Sequence, residues 1–242
     1  MDTARYYPLL EKIDQVSWQA MNWFFPTACV GCGKEGISFC PECLGQAPRQ
    51  SLDVCALCGD PLPKGRVCPA CARNKPTYRG LRAYGLYDSL FKEAVHQLKY
   101  HRNTALGLPM SQLMWPMIDT AGWVVDAVVP IPLGAEKLRQ RGYNQAHFLA
   151  RPIALHLRKP YLPNVLIRLR EVTTQTQLTA EQREANVRGA FLADPKLVLG
   201  KKILLVDDVF TTGATMRSAS EALIQAGAAG VYAATFAKAG KA

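Results

Sequence analysis

The sequence predicts an α/β domain on a parallel sheet, preceded by a small cysteine-rich module. Three observations carry that prediction. From Tyr78 onward, strand-length apolar runs alternate with segments of helical periodicity, which implies a parallel sheet covered on both faces. All eight cysteines lie between positions 29 and 71, in pairs of one spacing. A carboxylate pair and a hydroxyl- and glycine-containing turn follow directly on a short apolar run, Ile203-Leu204-Leu205-Val206. At 242 residues the chain has room for one medium domain and a small appendage, and 49% hydrophobic with 20% charged residues is a globular balance. No run approaches the roughly 18 apolar residues of a membrane helix. Asp2, Arg5, Glu11, Lys12 and Asp14 interrupt the start, unlike a secretory leader, so the reading is a soluble, cytoplasmic protein.

Taken in order, Leu9, Ile13, Val16, Ala20 and Phe24 recur at helical spacing and predict an amphipathic helix over 1–25. It would pack on the rest of the protein or serve as a partner- or membrane-surface helix; its nearly cancelling charges argue against anionic lipid. Residues 26–75 hold the pairs Cys29 and Cys32, Cys40 and Cys43, Cys55 and Cys58, Cys68 and Cys71. Two intervening residues form a knuckle that turns both sulfurs to one tetrahedral ion, with Zn–S near ~2.3 Å. Two pairs close one four-cysteine site, so the pattern predicts two structural zinc ions. A disulfide framework is the alternative, and a reducing cytosol argues against it. Sequential pairing is the simpler topology, and a cross-brace stays open. The segment has few large aliphatic side chains, so metal stands in for a core there.

Beyond it, residues 81–87 alternate like a strand, and Leu90, Phe91, Ala94, Val95 and Leu98 form a helical stripe. A helix is predicted over 105–118, interrupted by Pro109 and Pro116. Residues 124–129 read as a buried strand ending at Pro130-Ile131-Pro132, and 144–157 as a helix kinked at Pro152. A short apolar strand over 203–206, a helix over 215–226 capped by Gly227, and a strand over 231–236 complete the series.

The stretch from Ile203 to Thr215 carries the chemistry. Asp207 and Asp208 are predicted at the C-terminal edge of their strand, where open α/β sheets bind ligands. Thr211-Thr212-Gly213-Ala214-Thr215 then opens a helix whose backbone N–H groups and dipole can cradle a phosphate. Carboxylates for sugar hydroxyls or hydrated Mg²⁺ would thus stand beside a monophosphate cradle.

These residues resemble the phosphoribosyl pyrophosphate (PRPP) signature of type I phosphoribosyltransferases. Three further stretches, together with Phe25-Pro26 ahead of Cys29, are similar to the ComF family of competence-associated proteins. They are Leu138-Arg139-Gln140-Arg141-Gly142-Tyr143-Asn144-Gln145-Ala146; Thr176-Gln177-Leu178 with Arg183, Asn186 and Ala190-Phe191; and His96-Gln97-Leu98-Lys99-Tyr100. The resemblance implies a type I phosphoribosyltransferase fold over 76–242 behind a double zinc ribbon over 26–75. It implies that Asp207 and Asp208 hold the ribose 2′- and 3′-hydroxyls, directly or through Mg²⁺. Thr211, Thr212, Gly213, Ala214 and Thr215 would bind the 5′-phosphate. Ile131 and its flanking prolines would face the pyrophosphate, Arg139 and Arg141 would lie on or near the loop that covers it, and Lys99 would approach from a helix end. In the implied chemistry, pyrophosphate leaves the anomeric carbon while cations neutralise its developing charge.

The formal charge is +10, and eight thiolates with two zinc ions would bring it to +6. Residues 136–170 hold Lys137, Arg139, Arg141, Arg151, Arg158, Lys159, Arg168 and Arg170 against Glu136 alone. That block is a solvated face, a pyrophosphate contact or a nucleic-acid contact, with Tyr143 and Tyr161 available to stack bases. Three functions follow: a phosphoribosyltransferase with an unread acceptor, a PRPP sensor without turnover, or a ComF-like factor of DNA uptake. The last would hold single-stranded DNA or a helicase-like competence protein.

Overall fold

The computed structural model describes residues 27–50, 53–62, 67–169 and 189–240. The expected helix over 1–25, the segment from Thr176 to Asn186, and Arg170 lie outside them.

Two short helices, α1 (Pro41–Gln46) and α2 (Pro69–Arg73), each follow a cysteine and start on proline, which has the helical φ and lacks an N–H that would go unused there. The domain follows as β1 (Gly80–Leu86), α3 (Ser89–Tyr100), α4 (Gly107–Thr120), β2 (Ala127–Pro130), α5 (Ala135–Arg141) and α6 (Gln145–His156). Then come β3 (Leu166–Arg168), β4 (Phe191–Ala193), α7 (Pro195–Val198), β5 (Lys202–Phe210), α8 (Ala214–Gln225) and β6 (Gly230–Lys238). The main sheet has the order β1-β6-β5-β2 with every pair parallel. β3 and β4 form a separate antiparallel pair.

Each sheet face is covered. Leu81, Val129, Ile203, Leu205, Val231 and Ala233 pack with Met216, Ala219 and Leu223 of α8 and with the β3–β4 pair. Val128, Leu204, Val206, Ala234 and Phe236 pack with α3, α4 and α6, and all five apolar residues of the α3 stripe are buried. α6 continues through Pro152 and α4 through Pro116. A Cβ at Gly107 would stand 2.5 Å from Phe148 Cβ, so glycine permits the close approach of α4 to α6.

Two strand boundaries differ from the sequence expectation. β2 begins only at Ala127, because Val124 is exposed and Asp126 caps the junction by accepting from the Lys202 N–H at 2.8 Å. β5 runs four residues past Val206, since β6 extends alongside it and pairs Asp207 with Thr235 and Phe210 with Lys238. Asp207 and Asp208 therefore lie within β5, just beyond the level at which β2 ends opposite Val206. The chain leaving β2 crosses the α6 face and the chain leaving β5 crosses the α8 face, so a crevice opens between them at the strands' C-terminal ends.

Both sheet edges are covered by chain. Residues 48–50 lie antiparallel against β1, with Leu86 donating to the Pro48 carbonyl at 2.9 Å and Gln50 to that of Tyr84 at 3.2 Å. At the other edge Val128 donates to the Pro160 carbonyl at 2.9 Å, and Leu162 to that of Val128 at 3.0 Å.

Candidate functional site

The cysteines gather into two groups, Cys29, Cys32, Cys40 and Cys43, and Cys55, Cys58, Cys68 and Cys71, with all ligand atoms of a group within 4.8 Å of one another. Pairing is thus sequential, not a cross-brace. No disulfide forms among them. Cys32 and Cys40 sulfurs stand 3.6 Å apart and those of Cys58 and Cys68 3.7 Å, close to the ~3.8 Å edge of a tetrahedron with Zn–S near ~2.3 Å. Backbone N–H groups of Cys40 and Cys68 point at the sulfurs of Cys29 and Cys55, at 3.4 and 3.3 Å. Burial pushes both of those thiols up, but the backbone donors outweigh it and bring each down to about 6. Cys43 is pushed up to about 12, chiefly by its bond with Cys40. Thiols so arranged fit a divalent ion that keeps them all as thiolates.

In the crevice, Asp208 is buried, and its Oδ2 meets Lys99 Nζ from the last turn of α3 at 2.5 Å. Gln145 Nε2, at the start of α6, approaches Asp208 Oδ1 at 3.4 Å. Asp207 accepts from the Asp208 N–H at 2.9 Å. Two carboxylates therefore share one lysine. Burial raises Asp208, yet Lys99 outweighs it and holds the carboxyl below its ordinary value. Burial, reinforced by the Asp208 charge, pushes Asp207 well above the usual carboxylate range. Lys99 is held above its ordinary value, as Asp208 overcomes the burial that disfavours its charge. The pair thus offers two carboxylates of unlike proton affinity, Asp208's lowered and Asp207's raised, an acceptor set that suits a divalent cation or sugar hydroxyls.

The turn after β5 has Thr211 and Thr212 exposed, and Gly213 at φ 79° is the N-cap of the 12-residue α8. A Cβ at Gly213 would stand 2.5 Å from Phe210 Cζ, so only glycine fits both the left-handed backbone and the packing. The Ala214 N–H reaches Thr212 Oγ1 at 3.4 Å. Thr211, Thr212, Gly213, Ala214 and Thr215 thus form a hydroxyl-rimmed helix mouth beside the two acids.

A cleft of about 560 Å³ adjoins Lys99 and is lined by Tyr100, Arg102, Leu133, Lys137, Gln140, Arg141 and Gln145. Of its four cations Lys99 is paired with Asp208, and among the described residues that line it Arg102, Lys137 and Arg141 meet no carboxylate, which suits a polyanion. Arg141 donates to Gln145 Oε1 and lies 5.4 Å over the Tyr100 ring. Arg139 is exposed on α5 and does not line this cleft, which Lys137 and Gln140 do, because successive helix residues point different ways. The Ile131 side chain is in the core, its N–H donates to the Val206 carbonyl at 2.9 Å, and its carbonyl accepts from Asn144 Nδ2 at 2.9 Å. Tyr143 donates to the Leu98 carbonyl at 2.5 Å and meets Phe148 edge-on, and Tyr161 is half-buried and edge-on to His147.

Gln145 and Arg102 escaped the sequence reading as site residues. Gln145 stands in the stretch after Arg141, but its pairing with Asp208 spans 63 positions and needs the fold.

Residues 96–242 match the phosphoribosyl transferase domain family, and residues 20–72 the double zinc ribbon domain. The chain is 30% identical to the DNA utilization protein YhgH of Salmonella typhimurium, over 87% of this chain and 88% of that protein. It is 28% identical to competence protein F of Haemophilus influenzae, over 84% and 93% of the two chains. Against competence protein ComFC of Bacillus subtilis the identity is 27%, over 88% and 85%. The glutamine PRPP amidotransferase of Bacillus subtilis, solved with ADP and GMP, aligns at a TM-score of 0.36 and 27% identity, covering 55% of this chain and 25% of that one. The family assignment stands on the domain matches and the curated relatives. With the double ribbon ahead of a parallel sheet that carries the acid pair near the end of β5 and the helix mouth just after it, the chain belongs to the phosphoribosyltransferase-domain proteins of the ComF family.

Proposed function

We propose that this chain binds PRPP in the crevice between β2 and β5 and works in the cytoplasm in the handling of incoming DNA. The observation that carries the reading is the contact of Asp208 with Lys99 of the cationic cleft, on the strand that leads directly into the helix mouth at 211–215. Asp207 and Asp208 hold the ribose hydroxyls, and Thr211, Thr212, Gly213, Ala214 and Thr215 take the 5′-phosphate. Lys99, Arg102, Lys137 and Arg141 face the pyrophosphate, with Arg139 at the rim and the turn at Ile131 contributing shape. Asp207 and Asp208 would also hold Mg²⁺, which supplies charge neutralisation to the pyrophosphate. The functional division runs 1–25, 26–75 and 76–242, the ribbons holding two structural zinc ions.

Bond cleavage at the anomeric carbon needs no protein nucleophile. Lys99 and Arg141 neutralise the departing pyrophosphate, while the buried Asp208 stabilises positive charge on the ribose. The names of the relatives, DNA utilization protein and competence proteins, support single-stranded DNA or a helicase-like competence protein as partner. Exposed Arg139, Arg151 and Arg158 offer phosphate contacts outside the cleft.

Calorimetry with PRPP and Mg²⁺ tests the reading. Wild type is expected to bind, and Asp207→Asn with Asp208→Asn to lose at least about tenfold in affinity through the lost charge-assisted bonds. Equal binding by the double variant would overturn the carboxylate assignment. Pyrophosphate release with an acceptor separates an enzyme from a sensor, and DNA affinity should fall steeply with salt.

A further inference from the structure

We propose that Lys238 is a positioning residue for the 211–215 loop, through which the second ribbon holds that loop in its anion-accepting shape. The functional meaning rests on the reading of the loop as the 5′-phosphate site.

Lys238 is the last residue of β6 and is buried. A buried ammonium needs both an opposite charge and hydrogen-bond acceptors. Both come from the second ribbon. Nζ meets Asp60 Oδ1 at 2.7 Å and donates to the Cys58 carbonyl at 2.5 Å, and Cys58 is itself one of that ribbon's four thiols. On its other side Nζ lies 5.0 Å from the centre of the Phe210 ring, within cation–π range. The next residue secures the same neighbour, because the Ala239 N–H donates to the Phe210 carbonyl at 2.8 Å.

Phe210 leads into the loop. Its ring fills the space that a side chain at Gly213 would need, so the ring's position and the left-handed turn of Gly213 are set together. The path from Cys58 through Lys238 and Phe210 to the first N–H groups of α8 is therefore continuous and packed. A cavity of about 630 Å³ runs alongside it, with Cys58, Asp60 and Asn74 on the ribbon side and Thr211, Thr212 and Arg217 on the loop side. Ribbon and loop are two walls of one space.

The test uses the full zinc-loaded chain and two measurements, amide hydrogen exchange and calorimetry. Lys238→Met is expected to keep two zinc ions and to speed exchange of the 211–214 amides. It should weaken ribose 5-phosphate and Mg²⁺–PRPP binding about five- to tenfold while leaving pyrophosphate binding unchanged. Lys238→Arg, which keeps the charge, should restore most of both. Asp60→Asn should move both readouts the same way by less, and it decides the matter if Lys238→Met does not fold. Unchanged exchange at 211–214 in a folded, zinc-loaded variant overturns the proposal, as does an equal loss of sugar phosphate and pyrophosphate binding. Faster exchange in the variant, with no PRPP binding even by wild type, would sink the phosphoribosyl reading and leave the brace standing.

Discussion

The two ribbons share one knuckle spacing and meet the domain in opposite ways. In the first, Phe39 is buried 6.2 Å from the Phe236 ring centre, and Gly31 packs closely on Leu90 of α3. That ribbon joins the main hydrophobic core. The second forms its own small cluster of Cys55, Cys68 and Cys71 with Leu57 and Leu62. It reaches the domain through polar contacts, with Lys238 on Asp60 and Cys58 and Arg82 donating to the Ala56 carbonyl at 3.2 Å. Identical metal-site chemistry thus leaves docking to be decided by the residues between the cysteines. An apolar dock is held by burial and has little angular preference; a charged dock fixes position and is costly to break.

The contrast can be broken most directly at Phe39. Phe39→Ala should cost about 3–5 kcal/mol in guanidinium unfolding at saturating zinc, by loss of burial and the cavity left behind. A loss below about 1 kcal/mol would show that the first ribbon is not docked as described. Next, Asp60→Ala should cost about 3 kcal/mol, because it strands a buried lysine. A double-mutant cycle with Lys238→Met should show coupling of at least about 0.5 kcal/mol, whereas Asp60→Ala with Phe39→Ala should be additive. Additivity in the first cycle would remove the charged dock from the comparison.

The smallest effect concerns the other buried charge pair, at Lys99. Asp207 keeps its proton to higher pH when folded than when unfolded. The native state then binds more protons, so its contribution to stability is present at low pH and is lost as pH rises through the elevated native value. Ligand-free Asp207→Asn should remove that pH dependence and gain about 0.5–2 kcal/mol near neutral pH while losing PRPP affinity. Thermal unfolding across pH checks the sign, and a destabilised variant would contradict it.

The sequence showed what lies close along the chain. Cysteine spacing announces two metal sites, and the Asp-Asp-Val-Phe-Thr-Thr-Gly run announces the crevice, because each needs only local geometry. β5 looked four residues too short, since its polar end is held by pairing with β6 and not by apolar character. Val124 looked like a strand residue, but nothing covers it well enough to bury it. Arg139 and Arg141 looked equivalent until the helix turned one out and the other toward Gln145. Lys238 and Cys58 lie 180 positions apart, beyond any local pattern.

The strip at 48–50 joins the ribbons while it is bonded along β1. Gln50 also accepts from the Ala83 N–H at 3.2 Å and donates to the Gly59 carbonyl, tying the second ribbon to that strip. A ribbon that lost its metal and pulled the strip away would bare a row of unpaired amides on a parallel sheet, a template for another chain. Zinc starvation of this protein should therefore be visible as self-association before it is visible as unfolding.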